Sequence, residues 1–257
     1  MIGRLLFLLG CAAFWGRAEE SASNLLLRGW REFGAAYEAW SAPRFGAAVE
    51  LFRQAATNTP ASITNHYWLG AAQFHLLLCL RHSPGAATNA AAAQAALEGA
   101  IATLETAVKL DPRHSESHAL LGTLYGMKIG GNWIRGARFG PRVAKHQAAA
   151  MEQGADNPRV RYLLGTCQFN TAKKKAERQA ALETLLAAEK LFAAEVQQPA
   201  GPLEPRWGRS SCLTFIGQTY ELLGQFAAAA EYFQKALALH PADHLAREGL
   251  ARVASKP

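Results

Sequence analysis

Apolar side chains along this chain recur at helical intervals, and small residues alternate with large ones within each stripe. Ala48, Phe52 and Ala55 are followed by Pro60, and the same spacing returns at Ala229, Phe233, Ala236 and Pro241. A close relative lies at Ala100, Leu104, Ala107 and Pro112. Intervals of four and three residues put these side chains on one helix face, and each proline keeps its helix from running on. A small residue one turn from a bulky one lets a second helix approach closely while the large side chain fills the gap. The pattern therefore predicts helices packed in pairs. Half of the 257 residues are hydrophobic, with alanine prominent among them and no long alternating runs of β-branched residues. Ala, Leu, Gln, Glu, Lys and Arg are strong helix formers, so an all-α chain is expected.

Between Ser210 and Pro241 the spacing is most complete. Leu213, Ile216, Gly217 and Tyr220 precede a Gly224-Gln225-Phe226 turn, and Ala229, Phe233, Ala236 and Pro241 follow it. This unit resembles the tetratricopeptide repeat, a helix-turn-helix module of about 34 residues. The resemblance implies an all-α solenoid, a superhelix of stacked helical hairpins. Moving the frame along the chain places Leu69-Gly70, Leu121-Gly122 with Tyr125, and Leu164-Gly165 at the family's Leu-Gly positions. Five units are expected, at about residues 24–61, 62–113, 115–157, 158–196 and 210–243. A capping helix over 243–254 would carry Leu245, Leu250 and Val253 on its apolar side and close the C-terminal end. The first unit departs from the family residues, with Trp30, Phe33, Tyr37 and Trp40 forming its stripe, as terminal repeats do.

Frame counting calls for insertions of about 18 residues in the second hairpin, about 9 in the third, about 4 in the fourth and about 14 between the fourth and fifth. The second should lengthen both of its helices around Pro84-Gly85. The third holds Gly130, Gly131, Gly136 and Gly140, a density that argues for an ordered loop over 129–141. The last, Gln197 to Trp207, carries three prolines and reads as a spacer. Pro158 to Gly165 and Pro205 to Gly208 also look like elements of exported bacterial tetratricopeptide proteins.

The N-terminus reads as a cleaved signal peptide over 1–18. Arg4 precedes an apolar run from Leu5 to Trp15, and Gly16-Arg17-Ala18 offers small residues where a peptidase cuts. Leu8-Leu9-Gly10-Cys11 also suggests a lipoprotein box, with a lipid on Cys11 as the alternative. A periplasmic or secreted protein, residues 19–257, is expected. Its 25 basic residues, after removal of Arg4 and Arg17, face 20 acidic ones, a net charge of +5. Cys79, Cys167 and Cys212 lie in apolar helical stretches and read as buried free thiols.

Catalytic patterns are missing: no nucleophile elbow, phosphate loop, zinc-protease motif or haem-attachment motif occurs. No enzyme, cofactor or metal is expected. His114/His118 and His240/His244 have ligand-like spacing, but His118 occupies a packing position and Pro241 interrupts the second pair. Basic clusters at Arg135, Arg138, Arg142 and Lys145, and at Lys173, Lys174, Lys175 and Arg178, read as solvated faces. An anionic membrane surface is their alternative partner; thin aromatic interleaving disfavours nucleic acid.

The repeat resemblance implies an inner wall lined by the first helix of each unit, which binds a protein or peptide. Its inward positions are Thr64, Tyr67, Ala71 and Phe74, then Arg159, Tyr162, Thr166 and Phe169, then Ser211, Thr214, Gln218 and Glu221. The charged clamp with which some family members hold a terminal carboxylate is not among them. The expected function is an envelope interaction scaffold that binds a partner in this groove. An envelope-assembly factor working at the membrane surface is the alternative. The oligomeric state is not legible from these residues.

Overall fold

A computed structural model describes residues 21–82 and 87–256. The leader, with Cys11, and the Pro84-Gly85 turn lie outside the described residues. Among the described residues the chain is eleven helices with no strand: α1 (Ala22–Ala39), α2 (Ala42–Asn58), α3 (Ile63–His82), α4 (Ala90–Leu110), α5 (Ser115–Ile129), α6 (Trp133–Gly154), α7 (Pro158–Thr171), α8 (Lys175–Val196), α9 (Arg209–Leu222), α10 (Phe226–Leu239) and α11 (His244–Ala254).

Successive helices pair as hairpins, α1 with α2 through α9 with α10, and each hairpin stacks on the next through α2–α3, α4–α5 and α8–α9. The odd-numbered helices α1, α3, α5, α7 and α9 also neighbour one another and make the inner wall. Local chemistry sets many of the ends. Ser21, Asn132, Asn157 and Asp243 cap their helices through side-chain oxygens, and His114 caps α5 through its ring nitrogen. The second hairpin is long, with helices of 20 and 21 residues.

The small-large stripe works by contact across each hairpin. A Cβ on Gly29 would lie 2.7 Å from the Phe52 ring, on Gly70 2.5 Å from Leu104, on Gly165 2.7 Å from Leu185, and on Gly217 2.7 Å from Phe233. Each large partner comes from the second helix of the same hairpin and is fully buried. In the last hairpin α11 covers the other side of Phe233, where a Cβ on Gly249 would sit 2.3 Å away. Ala229, Phe233, Ala236, Ala246 and Val253 form this small terminal core.

One expectation fails here. The glycine-rich stretch 129–141 is not an extended loop: only Gly130 to Asn132 turn, and a helix starts at Trp133 and carries Pro141 within it. Phe139 supplies the reason. It is buried, stacks on Tyr125 at 5.9 Å, and has Lys128, Arg138 and Arg142 over its ring at 5.2 to 5.9 Å. That anchor, with the Asn132 cap, offsets the weak intrinsic propensity of Gly136, Gly140 and Pro141.

Phe233 is held on both sides, so it has no room to yield. Gly217→Ala and Ala229→Leu should each destabilise the fold by about 1–3 kcal/mol, read as lower urea midpoints with unchanged slope. A neutral Ala229→Leu would contradict the packing described.

Candidate binding site on the inner wall

The inner wall is closed by the chain itself. Gln197 to Gly208, a strap held out of helix by Pro199, Pro202 and Pro205, crosses it between α8 and α9. Trp207 is buried, packs edge-on to His75 at 4.9 Å, and donates its indole N–H to the Tyr67 hydroxyl at 3.2 Å. Trp68 donates to the Leu203 carbonyl at 3.2 Å, and Arg206 donates to the Glu195 carbonyl at 2.6 Å. Two backbone positions of the strap are left-handed, Leu203 at φ 65° and Gly208 at φ 106°. Glycine relieves the second, where the Gly208 N–H reaches the Tyr37 hydroxyl at 3.2 Å.

Beneath the strap lies a buried ionic network. Arg159 of α7 donates to Glu116 of α5 at 2.8 Å and, through two nitrogens, to Glu195 of α8 at 2.5 and 3.1 Å. Its side chain is 4% exposed. Glu116 also accepts from Asn157 at 2.7 Å and from the Tyr67 hydroxyl. Burial alone would lower the Arg159 pKa; the two carboxylates outweigh it and raise the pKa above the ordinary value. The Tyr67 phenol is driven well above its usual pKa by burial and by the Glu116 charge.

At the other end of the wall the last repeat meets the first. The Tyr37 hydroxyl is 3.4 Å from Ser211 Oγ, His240 stacks on Tyr37 at 5.6 Å, and His240 Nε2 donates to the Glu38 carbonyl at 3.1 Å. A partly open cleft of about 70 Å³ lies at this seam. Trp40, Tyr162 and Phe215 form its aromatic lining, with His82, Asp243 and His244 among the polar groups. Trp40 is strained, with φ 46°, and its indole nitrogen is buried without an acceptor. Phe169 meets Phe215 edge-on at 5.3 Å and carries the aromatic surface outward from the cleft.

Two kinds of comparison support this architecture. The profile of the tetratricopeptide repeat matches residues 211–253. TTC0263, a thermophilic TPR protein of Thermus thermophilus, superposes with a TM-score of 0.64 at 18% identity, over 91% of this chain and 99% of that one. The chain has the tetratricopeptide-repeat fold. The HusA haemophore from Porphyromonas gingivalis shares it at a TM-score of 0.60 and 17% identity, over 80% of this chain and 96% of that one. The APC/C hetero-tetramer Cut9-Hcn1 does so at 0.58 and 18%, over 93% of this chain but 37% of that one. No curated protein matches. At these identities the likeness is one of fold.

In this tetratricopeptide solenoid the inward residues divide into two groups. Tyr67, Phe74, Arg159, Tyr162 and Thr166 are buried, so the expectation that a partner meets them as an open surface needs correction. The strap, the ionic network and the last repeat already occupy their space. Tyr162 keeps a place in the cleft lining. Thr64 is exposed, while Phe169, Gln218 and Glu221 are half-buried, and Glu221 is paired with Arg252 of α11 at 2.8 and 2.9 Å. The spacer reading of 197–207 is corrected too, because Trp207 is core.

The histidines have other partners than the spacing suggested. His114 Nδ1 accepts the Ser117 N–H, His118 donates Nε2–H to the Pro112 carbonyl, and His118 Nδ1 shares a hydrogen bond with His146 Nδ1 at 2.8 Å. Among the described residues Cys79, Cys167 and Cys212 form no disulfide; the first and last are fully buried, Cys79 donates to the Trp40 carbonyl at 3.3 Å, and burial pushes the Cys167 and Cys212 thiols up. Sequence reading missed Trp207, Glu116, Glu195 and Trp40. A tryptophan at the end of a proline-rich stretch was the one local signal for Trp207; the carboxylate partners of Arg159 have none.

Arg159→Ala strips the buried Glu116 of its counter-charge and should cost about 3–5 kcal/mol. The double variant Arg159→Met, Glu116→Gln should lose less than the sum of the single changes, in a double-mutant cycle of urea midpoints. His75 generates a pH prediction. Burial lowers its pKa from 6.5 to about 4, against a bond from Nδ1 to the Ala71 carbonyl. The unfolded chain therefore takes up a proton that the fold refuses, and stability falls as pH drops from 6.5 towards 4. The loss from this group is about 3 kcal/mol across that window. Unfolding curves near pH 7 and pH 4.5 should show it in the wild type and a smaller drop in His75→Phe.

Proposed function

We propose that this protein is a non-enzymatic interaction scaffold that binds a protein or peptide segment at the seam between its first and last repeats. The fold supports the general role, because tetratricopeptide arrays hold protein or peptide partners on their walls. The observation that carries the specific reading is the Trp40 indole, a buried donor lacking an acceptor beside an aromatic cleft. A side chain that brings apolar surface into that space, shifting the Trp40 ring enough to set an acceptor against its enclosed nitrogen, would satisfy the donor. The rest of the segment would lie along Phe215 and Phe169 towards Gln218, the accessible end of the inner wall. No catalytic constellation supports a reaction at this site. The leader read over 1–18 supports placement in the cell envelope, periplasmic or secreted.

Affinity capture from an envelope extract with the full chain supplies the partner. Phe169→Ala with Phe215→Ala should weaken that partner's binding by roughly tenfold or more, while far-ultraviolet circular dichroism shows the helices retained. Trp40→Phe preserves most of the packing but removes the donor, and should produce a smaller loss. Unchanged binding in both variants would move the site away from the seam.

A further inference from the structure

The third hairpin carries a surface that the seam site does not use. Of the 22 residues of α6 only Phe139 and Ala150 are buried; the helix lies along α5 and makes few contacts with α7. Its outer face is therefore unpartnered. Trp133 is 80% exposed and Ile134 60%, the two highest values among the large hydrophobic side chains of the described residues. They stand together at the first turn of the helix, beside the Gly130-Gly131 turn.

Basic residues continue from that tip. Arg135, Arg138, Arg142 and Lys145 are exposed and spaced by three, four and three residues, which aligns them along one face over about 15 Å. No acidic residue occurs in α6 before Glu152. Arg142 is partly neutralised, donating to the Tyr125 hydroxyl at 3.0 Å and lying 3.8 Å from Glu105. Among the described residues no carboxylate pairs with Arg135, Arg138 or Lys145. Between the cations the exposed positions are Ala137, Pro141 and Ala144, and Ala148 follows them, small groups that let the face lie close to a flat surface.

From this placement we infer that α6 docks the protein on an anionic lipid bilayer, lying in the interface with Trp133 and Ile134 inserted and the arginines on the headgroup phosphates. The charge is complementary to such a surface, and an exposed Trp-Ile pair flanked by arginines suits the boundary between headgroups and acyl chains. Nucleic acid fits the same face less well, since Ile134 offers no ring for stacking and Trp133 stands alone among the exposed aromatics of the stripe. Among the described residues no helix is long and apolar enough to cross a membrane, consistent with a helix lying in the plane. This inference is independent of the seam site, which uses other hairpins.

The test is co-sedimentation of the full chain with vesicles of phosphatidylglycerol and phosphatidylcholine, and with vesicles of phosphatidylcholine alone. Binding should require the anionic lipid and weaken as salt rises. Arg135→Glu with Arg138→Glu, and separately Trp133→Ser with Ile134→Ser, should each weaken it by about tenfold or more. All four residues are exposed, and Lys128 and Arg142 keep cations over the Phe139 ring when Arg138 is replaced, so circular dichroism should show the helices retained and urea midpoints should move little. Residues 1–20 are present in every variant and cannot create the difference. Failure to bind anionic vesicles at low salt, or equal binding by all variants, overturns the inference. So does retention on heparin or an acidic protein without vesicle binding. Partner capture at the seam should be unaffected by these changes, which separates the two sites.

Discussion

Arg159 must find two carboxylates before the interior of this solenoid can close. A guanidinium taken out of water is costly unless opposite charge and hydrogen bonds replace its hydration. Glu116 reaches it from α5 and Glu195 from the end of α8. Glu116 then accepts from Tyr67, and Tyr67 accepts from Trp207. One buried charge thus ties the second, third and fourth repeats to the strap that leads into the fifth. The strap in turn covers the aromatic wall of α3, which would otherwise present Phe74, His75 and Trp68 to water. Ionic network, strap and wall are mutually dependent.

Closure changes where function can reside. An ordinary repeat array leaves its inner wall free for a partner, but here the wall is largely filled by residues 197–208. What stays accessible is the seam where α1 meets the fifth repeat, and its outlying aromatics Phe169 and Phe215. Strain is stored at the same place, in the left-handed backbone of Trp40 and its unsatisfied indole. The outer face of α6 is the other departure from a self-satisfied surface, with large apolar groups exposed next to uncompensated cations. Packing elsewhere leaves little slack, because glycines at the hairpin contacts admit no added methyl group.

The candidate site was only half legible in the residues. The repeat resemblance placed Tyr67, Phe74, Arg159, Tyr162 and Thr166 on inward positions, and each contributes to the interior or the cleft. Whether an inward position is open depends on what crosses above it, and the strap's path is not a periodic property. The same limit explains α6. Glycine and proline at 136, 140 and 141 argue against helix locally, and a single buried ring, Phe139, reverses the outcome through contacts with Tyr125, Lys128 and Arg142.

The chain by itself determined the all-α class, the pairing of helices, the repeat motif and the places where a small residue must face a large one. These are legible because they depend on intervals of three and four residues and on partners within one hairpin. Tertiary structure alone decided that Arg159 is buried between Glu116 and Glu195, that Trp207 fills the wall, and that His240 meets Glu38 across the seam. Those contacts join residues that are 36 to 202 positions apart. No local preference encodes them; they follow from how far the stacked hairpins turn before the first and last repeats come into contact.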